Sequence, residues 1–256
     1  VETHQKQDQA IPTVSVFGVS VCKWGMQDTV RYLIEAVRSR KPHQVITANP
    51  IMLMAALEDP AYKKIMQEAE LVVPDGTGLV WAAQKGGEPV TERVAGFDLL
   101  HELMREGQSR HWKVYLLGST PEVIQEAARR LTLQYPGTEI VGYRDGYFKT
   151  DQDLEVVAAI KAAAPDLLFV ARGADTQEPW IGKYKQTLGV PVMMGVGGSL
   201  DIISGKTKRA PVAFQRMRLE WLYRLLSEPT RFRRMLALPK FVVRVLRAGE
   251  NLTKMG

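Results

Sequence analysis

The stretch QVITANPIMLMAALEDPAYKKIMQEAELVVPDGTG, from Gln44 to Gly78, decides the fold. Residues 44–47 are a short β-rich run, residues 50–68 carry a helical pattern opened by Pro50, and residues 71–73 are a second apolar run. An apolar strand, a helix and another apolar strand imply parallel pairing through a crossover connection. Each strand is followed by groups suited to a ligand: Thr47-Ala48-Asn49 after the first and Pro74-Asp75-Gly76-Thr77-Gly78 after the second.

The same alternation continues on both sides. Further strand patterns occupy residues 13–17, 113–117, 138–141, 167–171 and 190–194, with helical patterns at 27–38, 97–106, 121–134 and 151–164. The expected fold is α/β, a Rossmann-like open, mostly parallel sheet flanked by helices, with a C-terminal helical appendage. In such sheets ligands collect at the carboxyl ends of the strands. Gly118-Ser119-Thr120, Arg172-Gly173 through Gln177-Glu178, and Gly195-Val196-Gly197-Gly198 add three more ends of the same character. One such end is ordinary turn chemistry. Five together read as a pocket lining.

Charge divides the chain. The net value is +6, yet from position 206 onward thirteen Lys or Arg face three Glu, so the preceding body is net acidic. The expected organisation is a disordered segment at 1–12, an α/β body at 13–205 and a basic amphipathic helical appendage at 206–256. In that appendage Pro211 suits a helix start, with apolar positions at Phe214, Met217, Leu219, Trp221, Leu222 and Leu225. Glu228-Pro229 breaks the pattern, and residues 230–248 then mix arginines with large apolar residues around a kinking Pro239. That mixture fits a helix lying in an anionic membrane interface, where each basic residue adds about 1 kcal/mol of attraction. No nucleic-acid recognition module is evident. No run approaches the roughly 20 apolar residues of a spanning helix, and no signal-peptide pattern is visible, so the expected location is cytoplasmic and peripheral. Cys22, the single cysteine, excludes an intrachain disulfide framework and reads as a buried, unreactive thiol on a strand.

Individual residues admit two readings each. Asp75 suits a general base beside a glycine-permissive turn, or an N-cap for the helix beginning near Thr77; position alone favours the cap. Thr47 and Asn49 can donate to a sugar or phosphate, while Asn49 also suits the cap of the Pro50 helix. Arg93 can clamp a diphosphate or pair with Asp98. Gly195, Val196, Gly197 and Gly198 permit close backbone approach to phosphate or ribose, and Asp201 can cap a helix or bind ribose or base. Asp151-Gln152-Asp153 has the Asp-x-Asp form of metal-dependent transferases, but opening an amphipathic helix it reads as capping. The four histidines show no metal-ligand spacing, so no metal and no cofactor are expected.

Taken in order, Thr47-x-Asn49, Pro74-Asp75-Gly76-x-Gly78, Arg93-Val94-x-Gly96-x-Asp98, Gln177-Glu178-x-Trp180 and Gly195-Val196-Gly197-Gly198-x-x-Asp201 form a set. With Arg209-Ala210-Pro211, Glu220-Trp221-Leu222-x-Arg224 and Glu228-Pro229-x-Arg231, that set resembles the WecG/TagA/CpsF glycosyltransferases, family 26 of the bacterial glycosyltransferases. The resemblance spans about residues 13–245. It implies an inverting, metal-independent enzyme that moves N-acetylmannosamine, or its uronic acid, from UDP to undecaprenyl-diphosphate-linked N-acetylglucosamine at the inner face of the bacterial membrane. It also implies that Asp75 is the base, overriding the cap, with Thr47 beside it. Asn49, Arg93 and Gln177 then line the pocket, residues 195–201 hold uridine, and Arg224, Arg231 and Arg234 meet the departing diphosphate. Homo-oligomers that compete with appendage docking belong to the same implication. One departure stands out: Gly173-Ala174-Asp175-Thr176 replaces a common Gly-x-Pro-Lys, removing a cation and leaving donor choice open. The rivals are another UDP-sugar, such as UDP-glucose, or a non-catalytic UDP-binding protein of the membrane surface.

Overall fold

The structure, a computed structural model, describes residues 10–217, 219–227 and 232–253. Most of the segment expected to be disordered, residues 1–9, lies outside the described residues. Strands β1 (Thr13–Val16) and β2 (Val19–Cys22) come first, followed by α1 (Met26–Ser39), β3 (His43–Ala48), α2 (Pro50–Glu58) and α3 (Pro60–Gln67). Then come β4 (Leu71–Pro74), α4 (Thr77–Lys85), α5 (Gly96–Arg110), β5 (Lys113–Gly118), α6 (Pro121–Gln134) and β6 (Glu139–Arg144). The body ends with α7 (Asp153–Ala163), β7 (Leu167–Ala171), α8 (Ala174–Leu188), β8 (Val192–Gly195) and α9 (Ser199–Ile203). Helices α10 (Val212–Arg216), α11 (Glu220–Ser227), α12 (Phe232–Met235) and α13 (Ala237–Ala248) follow.

Six strands pair in the order β4-β3-β8-β7-β5-β6, all in parallel, as the alternation of strands and helices predicts. Residues 13–17 depart from that expectation. β1 pairs antiparallel with β2 in a separate hairpin, because Phe17 and Gly18 both take positive φ, 53° and 81°. A two-residue turn of that kind joins adjacent antiparallel strands. Phe17 is buried, with its ring edge-on to Phe241 at a centroid distance of 6.0 Å.

Local chemistry explains the other differences. The helix expected over 50–68 is two helices, because Pro60 disfavours helical backbone at Asp59. Asp59 adopts φ −124° and ψ 104° and caps α3 by accepting from the Ala61 and Tyr62 amides. The expected interruption near Pro239 falls at Leu236 instead. Pro239 sits in the first turn of α13, where its missing N–H leaves no helical acceptor empty. Asp153 does not cap a helix. It is buried and accepts from Trp180 Nε1 at 3.0 Å and Tyr184 OH at 2.9 Å, tying α7 to α8. Cys22 is buried as expected, and burial pushes its thiol up to about 11.

Strands β3, β4, β5, β7 and β8 are largely buried and apolar on both faces, as parallel strands covered on two sides must be, whereas the edge strand β6 is partly exposed. On one face α1, α5, α6 and α9 bring Leu33, Leu100, Ile124 and Leu200 onto Val45, Leu116 and Phe169. On the other, α2, α3 and α4 cover Ile46 and Val72, while α7 and α8 cover Leu168 and Val170. Neighbouring strands β3 and β8 send their helices to opposite faces, α2 to one and α9 to the other. That divergence opens a crevice at their carboxyl ends. Helix α13 returns to the body and places Phe241 and Val245 in the same cluster as α2 and α4, joined by Leu252. Among the described residues no helix is long and apolar enough to cross a membrane.

Phe241 is 1% exposed. Phe241→Ala is expected to lower the global unfolding free energy by about 3–5 kcal/mol, read from urea titration of the full chain. A loss below about 1 kcal/mol would mean that α13 is not part of this core.

Candidate active site

The ends of β3 and β4 are locked together by their backbones. Ala48 faces Pro74 in register, and the Ala48 carbonyl accepts the Asp75 amide at 2.8 Å and the Gly76 amide at 3.3 Å. Gly76 and Gly78 carry no side chain where one would strike Pro50, so α4 starts directly against α2. The N-cap of α4 is Gly76, leaving the Asp75 carboxylate outside the cap. The Val94 amide donates to the Pro74 carbonyl at 2.9 Å and brings Arg93 over the same turn.

Arg93 grips Asp75 through side chain and backbone. Its Nη2 and Nε approach Asp75 Oδ1 at 3.2 and 3.4 Å, and Nε also donates to the Asp75 carbonyl. Its Nη1 donates to Glu220 Oε2, on α11, at 2.5 Å. Glu220 in turn lies 3.7 Å from Arg209, which forms a two-pronged pair with Asp98 at 2.8 and 2.9 Å and stacks on Phe97. Burial opposes the Arg93 cation, but the Asp75 and Glu220 carboxylates outweigh it and hold its proton more tightly than usual. Asp98 therefore partners Arg209 rather than Arg93.

Thr47 stands at the end of β3 against Gly96, where an added Cβ would lie 2.9 Å from Thr47 Oγ1. Asn49 caps α2, accepting from the Ile51 and Met52 amides at 3.0 and 3.2 Å, so its side-chain N–H2 is the group left to reach outward. Gln177 is buried beneath the strand ends. Its Oε1 accepts from Gly197 N at 3.1 Å and Arg172 N at 3.4 Å, while its Nε2 donates to Glu178. The space left by Gly195 is filled by the Gln177 and Glu178 side chains. Val196 is buried and pairs with the Val170 carbonyl. Gly197, at φ 49°, and Gly198 lead into α9. Asp201, in the first turn of α9, accepts from Ser119 Oγ at 3.4 Å and pairs with Lys206 at 3.4 Å. Arg234 lies 3.7 Å from Asp175 at the start of α8. Arg231 and the side chain of Arg224 lie outside the described residues.

The structure thus brings Thr47, Asn49, Asp75 and Arg93 together, and places Gln177 and Gly195 below the crevice. Sequence reasoning assigned no role in the site to Glu220 or Arg209, and Glu178, read as part of the strand-end pocket lining, is fully buried instead. Glu220 and Arg209 stand within the ordered motifs, but nothing local pairs Glu220 with an arginine 127 positions earlier. Arg172 belongs to one of the strand ends read as pocket lining. Its guanidinium stacks 4.1 Å over Phe148, and burial lowers its pKa. A cleft of about 440 Å³ opens there, lined also by Lys149, Thr176, Trp180 and Lys183.

Comparison with known proteins identifies the family. Residues 14–254 match the family described as "Glycosyl transferase WecG/TagA/CpsF family". A Bacillus spizizenii protein named N-acetylglucosaminyldiphosphoundecaprenol N-acetyl-beta-D-mannosaminyltransferase is 41% identical over 203 residues, 79% of this chain and 78% of its own. Proteins of the same name from Bacillus subtilis and Staphylococcus aureus are 34% and 36% identical, covering 93% and 82% of each chain respectively.

Glu178 gives the site a measurable acid–base signature. Its carboxyl is fully buried, with Gln177 Nε2 donating to Oε1 at 3.0 Å and Gln44 Nε2 to Oε2 at 3.1 Å. Burial raises its pKa from 4.5 to about 7 against the pull of those two donors. The folded state therefore keeps a proton that the unfolded chain has already released across that window. Stability from this group is full below pH 4.5, falls as pH rises through about 7, and is level above. The span is roughly 3 kcal/mol, at about 1.4 kcal/mol per pKa unit. Urea titrations at pH 5 and pH 8 are expected to show this loss in the wild type and a flatter profile in Glu178→Gln. Equal slopes in the two proteins would remove Glu178 as the source.

Proposed function

The chain belongs to the WecG/TagA/CpsF glycosyltransferase family, and we propose that it moves N-acetylmannosamine from UDP-N-acetylmannosamine to undecaprenyl-diphosphate-linked N-acetylglucosamine. The shared name of relatives 34–41% identical to it carries this reading. Asp75 is the general base. It takes the proton of the acceptor hydroxyl as that oxygen bonds to the anomeric carbon and the bond from that carbon to the UDP oxygen breaks. The displacement is direct, so configuration inverts. Thr47 orients the reacting groups beside it, and Asn49 and Arg93 contact the sugars and diphosphate. Gly197, Gly198 and Asp201 hold the uridine end.

The departing UDP carries the bonding electron pair, and cations lower the cost of that charge. In this reading they are Arg224, Arg231 and Arg234, and no metal is needed. The Arg234–Asp175 pair, which brings α12 to the start of α8, supports their delivery to the strand ends. The C-terminal helices also rest on the inner leaflet of the bacterial membrane. Their exposed apolar side chains, among them Trp221, Leu226, Phe232, Val243 and Leu246, support this, standing among exposed Lys240, Arg244 and Arg247. Basic residues interleaved with exposed apolar ones suit an anionic lipid boundary. Homo-oligomers whose contacts compete with this docking complete the reading.

A donor screen tests the assignment: UDP-N-acetylmannosamine, its uronic acid and UDP-glucose, each with a lipid-diphosphate acceptor and product mass as readout. Consumption of UDP-glucose alone would displace the named donor. Asp75→Asn is expected to reduce kcat by about 100-fold or more while sparing UDP affinity by calorimetry. Unchanged turnover would remove Asp75 as the base.

A further inference from the structure

Glu220 presents a carboxylate to a guanidinium that already holds the proposed base. We propose that Glu220, delivered by α11, is a positioning residue: it shares Arg93 with Asp75, so that Arg93 orients the Asp75 carboxylate without quenching its basicity. The inference rests on the reading of Asp75 as base.

The geometry favours sharing over simple pairing. The Glu220 contact to Arg93 is 2.5 Å, against 3.2 Å for the nearest approach of Arg93 to the Asp75 carboxylate. Glu220 is also the more enclosed of the two carboxylates, at 16% side-chain exposure against 26%. Its other oxygen faces Arg209, and Arg209 is already committed to Asp98. Through Arg93, from the loop before α5, Asp75 is joined to Glu220 on α11, and Glu220 is joined in turn to Arg209 before α10 and Asp98 on α5. Arg93 is thus divided between two carboxylates, Asp75 and Glu220.

That balance matters to a base. A carboxylate with an arginine to itself is pulled down by one to three pKa units and becomes a weaker proton acceptor. A second carboxylate on the same guanidinium opposes that pull, while the hydrogen bonds still fix the orientation of Asp75. Glu220 reaches Arg93 only when the chain beyond Pro211 lies against the body. Docking of that segment and the strength of the base are therefore linked through one ion pair.

The test is the pH dependence of kcat in the full-length chain, with the UDP-sugar donor and a detergent-solubilised lipid-diphosphate acceptor. Glu220→Gln is expected to move the acidic limb down by about one pH unit, to lower the plateau about tenfold, and to leave KM for the donor unchanged. Glu220→Asp keeps the charge and is expected to return the limb to its wild-type position. A lowered plateau with the limb unmoved in Glu220→Gln would mean that the residue only docks the helix, and would overturn the proposal. If Glu220→Gln does not fold, a displaced limb in Glu220→Asp overturns it equally. Asp75→Asn serves as control: its activity would sink the base reading itself, whereas an inactive Asp75→Asn with an unmoved limb in Glu220→Gln sinks only the role of Glu220.

Discussion

The withdrawal of the Glu178 carboxyl from water is the constraint on which the carboxyl edge of the sheet depends. A buried acid is costly unless its oxygens are matched, and Gln177 and Gln44 match them here. The match ties α8 to β3, and Gly195 leaves the room that the two side chains of α8 need. Through the far oxygen of Gln177 the same arrangement fixes the amides of Arg172 and Gly197, which start the loops after β7 and β8. One buried cluster thus joins the carboxyl ends of β7 and β8 to the first turns of α8 and to the start of β3. The loops above it need little internal order to present their groups together.

On the other side of the crevice the ordering force is ionic. Asp75 and Arg93 come from the body, and Glu220 comes from a helix beyond it. Partly exposed ion pairs add little stability singly, so this chain is better understood by the geometry it imposes than by the energy it contributes. Its bidentate and shared contacts restrict the Arg93 fork to one plane, and with it the carboxylate below.

Much of this was legible in the sequence because parallel strands write plainly. The runs that became β3, β5 and β7 are apolar on both faces, and Pro50 and Pro121 open their helices where proline fits best. What misled was local chemistry. A glycine after Phe17 turned an expected sheet strand into half of a hairpin, and Asp59-Pro60 cut one helix into two. At the candidate site, Asp75, Thr47 and Asn49 were visible because they stand at or just after the ends of strands. Glu220 was not, since pairing across 127 positions leaves no periodic trace, and Glu178 was visible as part of a strand-end group but not as a buried carboxyl. Gln177 was visible as a polar group near a strand end, but its direction was not. Only the fold reveals that it points down.

The edge-on contact between Phe17 and Phe241 joins the first hairpin to the last long helix. Translation runs from one to the other, so the aromatic ring at the tip of the hairpin exists for most of synthesis without the surface that covers it. The cluster on that face of the sheet closes only when Phe241, Val245 and Leu252 have left the ribosome. Until then α2 and α4 carry an open apolar seam beside the Asp75 turn, and a nascent chain is exposed there to chaperones and proteases. Completion of this core therefore coincides with arrival of the helices that carry the arginines, and a chain cut short loses both at once.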